Sequence, residues 1–145
     1  MSPLEFAQAL VDDLKARYGQ PPTPQLPEPY LAQLGDLVID CPGTFVTILS
    51  KSEQDLGGNC GSVATADVVA AIARDCAHVA NEDGTTDHAA MTAVSAGMDH
   101  DAEILQEWGD KLYAESWFRL GRPTITFVVQ GGLAVVTMNV TLPIP

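Results

Sequence analysis

Between Leu4 and Tyr18 the apolar positions Ala7, Leu10, Val11, Leu14 and Tyr18 step at helical spacing, with Asp12, Asp13 and Lys15 on the other face. An amphipathic helix is predicted there, started by Ser2 as N-cap and Pro3 as first helical residue and stopped by Gly19 with Pro21 and Pro22. Five prolines fall between Gln20 and Pro29, which excludes helix and central strand and makes 20–36 a proline-rich connector. Leu37–Cys41 and Thr44–Ser50 carry strand signals around a turn at Pro42 and Gly43, and the polar, glycine-rich Lys51–Gly61 reads as an exposed loop.

Ser62–Val79 has two readings. Its alanines, with Val69, Ile72 and Cys76, suit a helix, and its two alternating sets suit a long strand buried on both sides, so periodicity leaves the segment open. Asn81–Asp87 is a turn about Asp83-Gly84, with Asp87 placed to cap the next helix. From His88 to about Trp117, Met91, Val94, Met98, Ala102, Leu105, Trp108 and Leu112 recur every three or four residues, the longest helical pattern in the chain, although Gly97 and Gly109 weaken it locally. Thr124–Val129 and Leu133–Leu142 form a C-terminal β-hairpin turned by Gln130-Gly131-Gly132, its second strand alternating with one buried face.

Composition changes this picture in one respect. A chain of 145 residues with 46% hydrophobic content fits a single domain, 1–145, and nineteen acids against seven bases give it a net charge of -12. A surface of that sign repels nucleic acid and anionic membranes, so a phosphate-gripping module is excluded. Nine of those acids lie between Glu82 and Glu115 beside a single base, Lys111. Cys41, Cys60 and Cys76 form no CxxC pair and are odd in number, which predicts reduced, mostly buried thiols made in a cytoplasm. The opening MSPLEFAQALVDDL has no basic run ahead of its apolar residues, and no stretch approaches the roughly 18 apolar residues that span a bilayer. A soluble chain without secretory routing is the expectation.

Candidate chemistry is sparse. GxSxG, P-loop, HExxH, GxGxxG and EF-hand spacings do not occur. Asp99, His100 and Asp101 are neighbours in sequence, but adjacent helical residues point in different directions and do not converge on one ion. Cys76 and His78 would share a strand face, with Cys60 as a third zinc ligand, yet the spacing matches no familiar zinc module and a buried thiol beside an ordinary histidine is the simpler reading. Ser50, Ser62, Ser95 and Cys60 have no sequence context that holds a base beside them. Trp108, Trp117 and Phe118 read as core more readily than as a partner patch. No catalytic residue, cofactor or metal is expected, which favours a structural or assembly role.

One resemblance gives that role a form. A β-run ending in Arg74-Asp75-Cys76-Ala77-His78-Val79, an Asp-Gly turn, a long helix, and the hairpin Gln130-Gly131-Gly132-Leu133-Ala134 leading into VVTMNVTLPI occur in order. This arrangement resembles the tail terminator proteins of long-tailed (siphovirus-type) bacteriophages, particularly of actinobacteriophages, in which a strand closes on an Arg-Cys-x-Pro-like corner and a Gly-Gly turn precedes the last strand. Here His78 stands where proline is common, and Asp75 separates the arginine from the cysteine.

The resemblance implies that 62–79 is a strand. It implies an α+β fold with a small antiparallel sheet of about four or five strands, both helices packed on one face, and a C-terminal hairpin. It also implies a non-enzymatic virion protein of the tail neck, a ring, typically a hexamer, that caps the tail tube, ends its polymerisation and joins it to the head-side connector. The implied partners are further copies of the chain, the tail-tube protein, the connector or stopper protein, and genomic DNA sliding through the lumen without specific binding. Another neck or tail ring protein, or less readily a small metal-binding or enzymatic domain on Cys60, Cys76 and His78 or His100, are the alternatives. Within the exposed loop, Asp55, Leu56, Gly57, Gly58 and Asn59 are expected to reach the neighbouring ring or tube.

Overall fold

Ser2 caps the first helix as its position predicts. In the computed structural model, which describes residues 1–22, 24–58, 61–76 and 80–145, the Ser2 hydroxyl accepts the Glu5 amide at 3.1 Å and Pro3 opens helix α1 (Pro3–Tyr18). The Gly19 amide closes the helix on the Lys15 carbonyl at 2.9 Å. Helix α2 (His88–Glu115) starts on Asp87, whose carboxylate accepts the Ala90 amide at 3.0 Å. Among the described residues five strands, β1 (Pro29–Leu31), β2 (Gly43–Asp55), β3 (Ser62–Asp75), β4 (Thr124–Gln130) and β5 (Leu133–Pro143), form one sheet in the order β1-β2-β3-β5-β4. The molecule is α+β, with both helices on the same sheet face.

Of the segment with two readings, Ser62–Asp75 is strand β3, Cys76 follows its end, and 77–79 lie outside the described residues. Strand β3 pairs antiparallel with β2 on one side and β5 on the other, so it lies near the middle of the sheet. Ala66, Val68, Ala70 and Ile72 join the core beneath the helices, while Ala71 and Ala73 face the opposite side and are also buried. A strand covered on both faces needs no alternation, which is why its pattern carried no period. Under the helices the core is completed by Leu10 and Leu14 from α1, Leu105 and Trp108 from α2, and Val136 and Met138 from β5.

Three expectations are corrected. Leu37–Cys41 forms no strand, because β2's outer edge is already taken: β1 runs parallel to it at residues 44–46, and the Ala32 and Gly35 amides then bond the Val46 and Ile48 carbonyls. Leu37 and Ile39 instead pack with Phe45 over Ala71, Ala73, Leu133 and Val135, covering the sheet face that the helices leave bare. The parallel β1 makes the sheet mixed, with its other four strands antiparallel.

Lys51–Gly61 is not all loop. Residues 51–55 continue β2, exposed along their length, and pair with Ser62–Ala66 of β3, of which Val63, Thr65 and Ala66 are buried. Polar cross-strand pairs hold the two strands together, Ser50 Oγ to Asp67 Oδ2 at 2.9 Å and Ser52 Oγ to Thr65 Oγ1 at 3.0 Å, and a strand exposed on both faces has the composition of a loop. Third, Cys41 is exposed and Cys76 half-buried, so these thiols are not core residues; Cys60 lies outside the described residues.

The two-residue turn between β4 and β5 needs its glycines. Gly131 and Gly132 have φ of 56° and 76°, the left-handed pair of a type I′ hairpin. Asn81–Asp87 is the turn expected, with Asp83 accepting the Thr85 amide at 3.0 Å and hydroxyl at 2.6 Å, bonds that lower its carboxyl below the ordinary value.

Candidate oligomerisation surface

The sequence candidates for chemistry separate in space. Asp101 points inward, 3% exposed, and accepts Arg74 Nε at 2.8 Å and a second guanidinium nitrogen at 3.0 Å, tying β3 to α2. Asp99 and His100 point to solvent. Arg74 also donates to the Gln25 carbonyl at 3.3 Å, so one side chain fastens strand, helix and connector. Its role is structural. The exchange Arg74→Met strands a buried carboxylate and should cost about 2–3 kcal/mol, moderated because the Arg74 side chain is 42% exposed, whereas Arg74→Met with Asp101→Leu should recover most of the loss. Urea unfolding of both variants measures this.

Cys76 is half-buried with its amide bonded to the Gly132 carbonyl at 2.9 Å, and Cys60 and His78 lie outside the described residues. No group of three metal-ligating side chains occurs among the described residues. The aromatic trio divides. Trp108 is fully buried, while Trp117 is 64% exposed and leans on Phe118 with ring centroids 5.7 Å apart. No helix among the described residues is long and apolar enough to cross a membrane.

A surface that periodicity does not reveal lies on β4. This strand pairs with β5 on one side, and no strand pairs its other side among the described residues, leaving a row of backbone donors and acceptors open. Phe127 is 54% exposed and Val129 52%, and Val128 on the opposite sheet face is exposed as well. An open edge strand with an apolar face is what monomeric proteins avoid with lysines, prolines or bulges. Here none interrupts residues 124–130.

Between β4 and α2 runs a groove of about 680 Å³. Ala102, Ala114, Ile125 and Phe127 supply its apolar lining, and Glu103 and Asp110 add acid along α2. Glu107, on the same helix, accepts Lys111 Nζ and the Tyr18 hydroxyl, both at 2.9 Å. Those bonds, Lys111 first and then Tyr18, hold its carboxyl below the ordinary range. Burial, followed by the same contact with Glu107, pushes the Tyr18 hydroxyl well up, so it stays a donor. This cluster ties α1 to α2 along one wall of the groove.

At the head of β4 stand Arg119 and Arg122, both over the Tyr113 ring at 5.8 and 5.4 Å. Arg119 donates to the Ala114 carbonyl at 3.2 Å, and neither arginine meets a carboxylate among the described residues. The expected contact loop is placed at the other flank. Asp55 ends β2 and accepts the Gly57 amide at 2.8 Å, Leu56 is half-buried, Gly57 and Gly58 are exposed, and Asn59 lies outside the described residues.

The apolar run in 124–130 was legible, but its exposure was not. Ile125, Phe127 and Val129 on one parity and Val128 on the other read as a strand, and only the sheet order puts that strand at an edge. No protein-family model matches the chain, and no curated protein matches it.

Proposed function

We propose that this protein is a structural subunit that closes into a homo-oligomeric ring through its β4 edge and caps a phage tail tube, as tail terminator proteins do. The observation that carries the reading is the open edge itself: seven consecutive strand residues, unpaired on one side among the described residues and with Phe127 and Val129 exposed, beside an apolar groove. A neighbouring copy that covers this edge satisfies its backbone groups and removes Phe127 and Val129 from water. The chain's other sheet edge is different in shape, a three-residue β1 beside the longer β2, and in this proposal β4 meets that unlike edge of the neighbouring copy, a heterologous contact that closes into a ring when the rotation permits.

The charge fits the same role. A ring built from chains of net charge -12 gives passing DNA few phosphate contacts to grip, and each contact avoided removes a share of sequence-independent binding. In this proposal acids line the lumen, drawn from the Glu82–Glu115 region or the connector loops, and the tube protein and the head-side connector occupy the two ring faces.

Size-exclusion chromatography with light scattering, followed by negative-stain imaging of the same peak, tests the reading. The expected result is a single annulus, and the double variant Phe127→Lys with Val129→Lys should elute as a folded monomer with unchanged circular dichroism. Open stacks would favour a tail-tube subunit, and a wild-type chain that remains monomeric at millimolar concentration would overturn self-assembly.

A further inference from the structure

The β2–β3 hairpin and the two arginines carry opposite charges on opposite flanks of the sheet, and among the described residues neither has an ion-pair partner for its excess charge. Along β2 beyond the bulge near Leu49, Leu49–Asp55 is exposed throughout, and Lys51, Glu53 and Asp55 share one face by alternation. Glu53 and Asp55 make no ion pair among the described residues. On the β4 flank Arg119 and Arg122 are held by the Tyr113 ring, already oriented.

Register shows why one chain cannot close this contact by itself. β4 begins at Thr124 opposite Asn139, which lies opposite Val69, itself opposite Thr47. From that level β2 runs on through eight further residues to Asp55, roughly 25 Å along the strand, while β2 and β4 are three strand spacings apart, roughly 14 Å. Both charged elements nevertheless belong to the same end of the sheet, because β4 starts at the end toward which β2 runs. When copies stand side by side, the β4 flank of one faces the β1–β2 flank of the next, and the β2–β3 hairpin of the second passes the segment that leads into β4 of the first.

We propose that Arg119 and Arg122 of each copy receive Glu53 and Asp55 of the neighbouring copy's β2–β3 hairpin. This contact rests on the self-assembly reading and adds its direction: an acidic hairpin on one flank and a basic socket on the other make the interface heterologous and set which way round the ring closes. Guanidinium groups suit the socket, since each can take a carboxylate through two parallel donors. Lys51, two residues from Glu53 on the same face, leaves the hairpin face with one base against two acids.

Charge reversal tests the contact. The variant Arg119→Glu with Arg122→Glu, and the variant Glu53→Lys with Asp55→Lys, should each fall from the wild-type oligomeric mass to the 15.4 kDa chain mass in light scattering at low salt, with circular dichroism unchanged. Mixed in equal amounts, the two variants should assemble again, because only unlike neighbours then match. If the wild type assembles and both reversed variants assemble equally well, the hairpin-to-arginine contact is overturned while the β4 reading survives. If the reversed variants dissociate and the mixture does not reassemble, the pairing is likewise overturned. A wild type that never assembles removes both proposals together.

Discussion

Replacing Trp108 by alanine is expected to cost about 3–5 kcal/mol of folding stability and to lower the thermal midpoint by roughly 10–15 °C. Trp108 is the largest fully buried side chain among the described residues, seated between α2 and the sheet core. Its indole nitrogen also donates to Asp13 Oδ2 on α1 at 2.7 Å, so one side chain fills the core and fastens the two helices together. Alanine removes the ring, leaves a cavity that rigid neighbours fill only in part, and takes the donor from Asp13. Trp108→Phe separates the two contributions, since it keeps most of the apolar volume and should lose only about 1–2 kcal/mol. Calorimetry on both variants checks the order, and equal losses would mean that the hydrogen bond, not the volume, dominates.

The second large effect is expected one residue on. A Cβ added to Gly109 would lie 2.5 Å from Met138 Sδ, 2.7 Å from Pro123 Cγ and 2.9 Å from Pro123 Cβ. Proline is part of the chain leading into β4 and moves only with its backbone, so Gly109→Ala must shift α2 away from the sheet. Overpacking of this kind costs about 1–3 kcal/mol, and it outweighs the gain of up to about 1 kcal/mol that alanine brings to a helix interior. Gly97, in the same helix, has nothing within 4 Å of its added Cβ among the described residues. There the helix preference stands alone, and Gly97→Ala should stabilise by about 0.5–1 kcal/mol. Opposite signs for the same substitution in one helix, read by urea unfolding, are the expected outcome. Because Pro123 adjoins β4, Gly109→Ala should also weaken assembly more than its loss of stability alone explains.

The two glycines mark the reach of sequence reasoning. Both weaken the helical pattern of 88–117 alike, and nothing in their immediate neighbours distinguishes them. Gly109 is buried at the point where α2 crosses Met138 and Pro123, residues 29 and 14 positions away, whereas Gly97 meets no neighbour within 4 Å of an added Cβ among the described residues. The acidic pair around His100 behaves similarly. Asp99 and Asp101 look equivalent in the chain, yet helical rotation sends one to solvent and the other to Arg74, 27 residues earlier.

Local order was readable from side-chain chemistry because its causes are local. Ser2, Pro3 and Gly19 bound α1, Asp87 caps α2, and the Gly131-Gly132 pair turns the last hairpin, each through an interaction with residues at most four positions away or through its own backbone freedom. The polar half of β2 was unreadable for the converse reason, since its strand conformation depends on pairing with β3 and its composition is that of a loop.

The amino-acid sequence by itself determined the two helices, the closing hairpin, the acidic character of the chain and the shortage of recognisable catalytic motifs. Periodicity left 62–79 open where the resemblance implied a strand, and it was tertiary structure that set 62–75 at the centre of the sheet, laid 37–41 over a sheet face instead of at an edge, and left β4 with no strand on its outer side among the described residues. An apolar strand has the same composition at the middle of a sheet as at its rim. Which of its sides meets another strand is a property of strand order, set by contacts between residues far apart in the chain, and that order is what turns 124–130 from core material into a surface for another molecule.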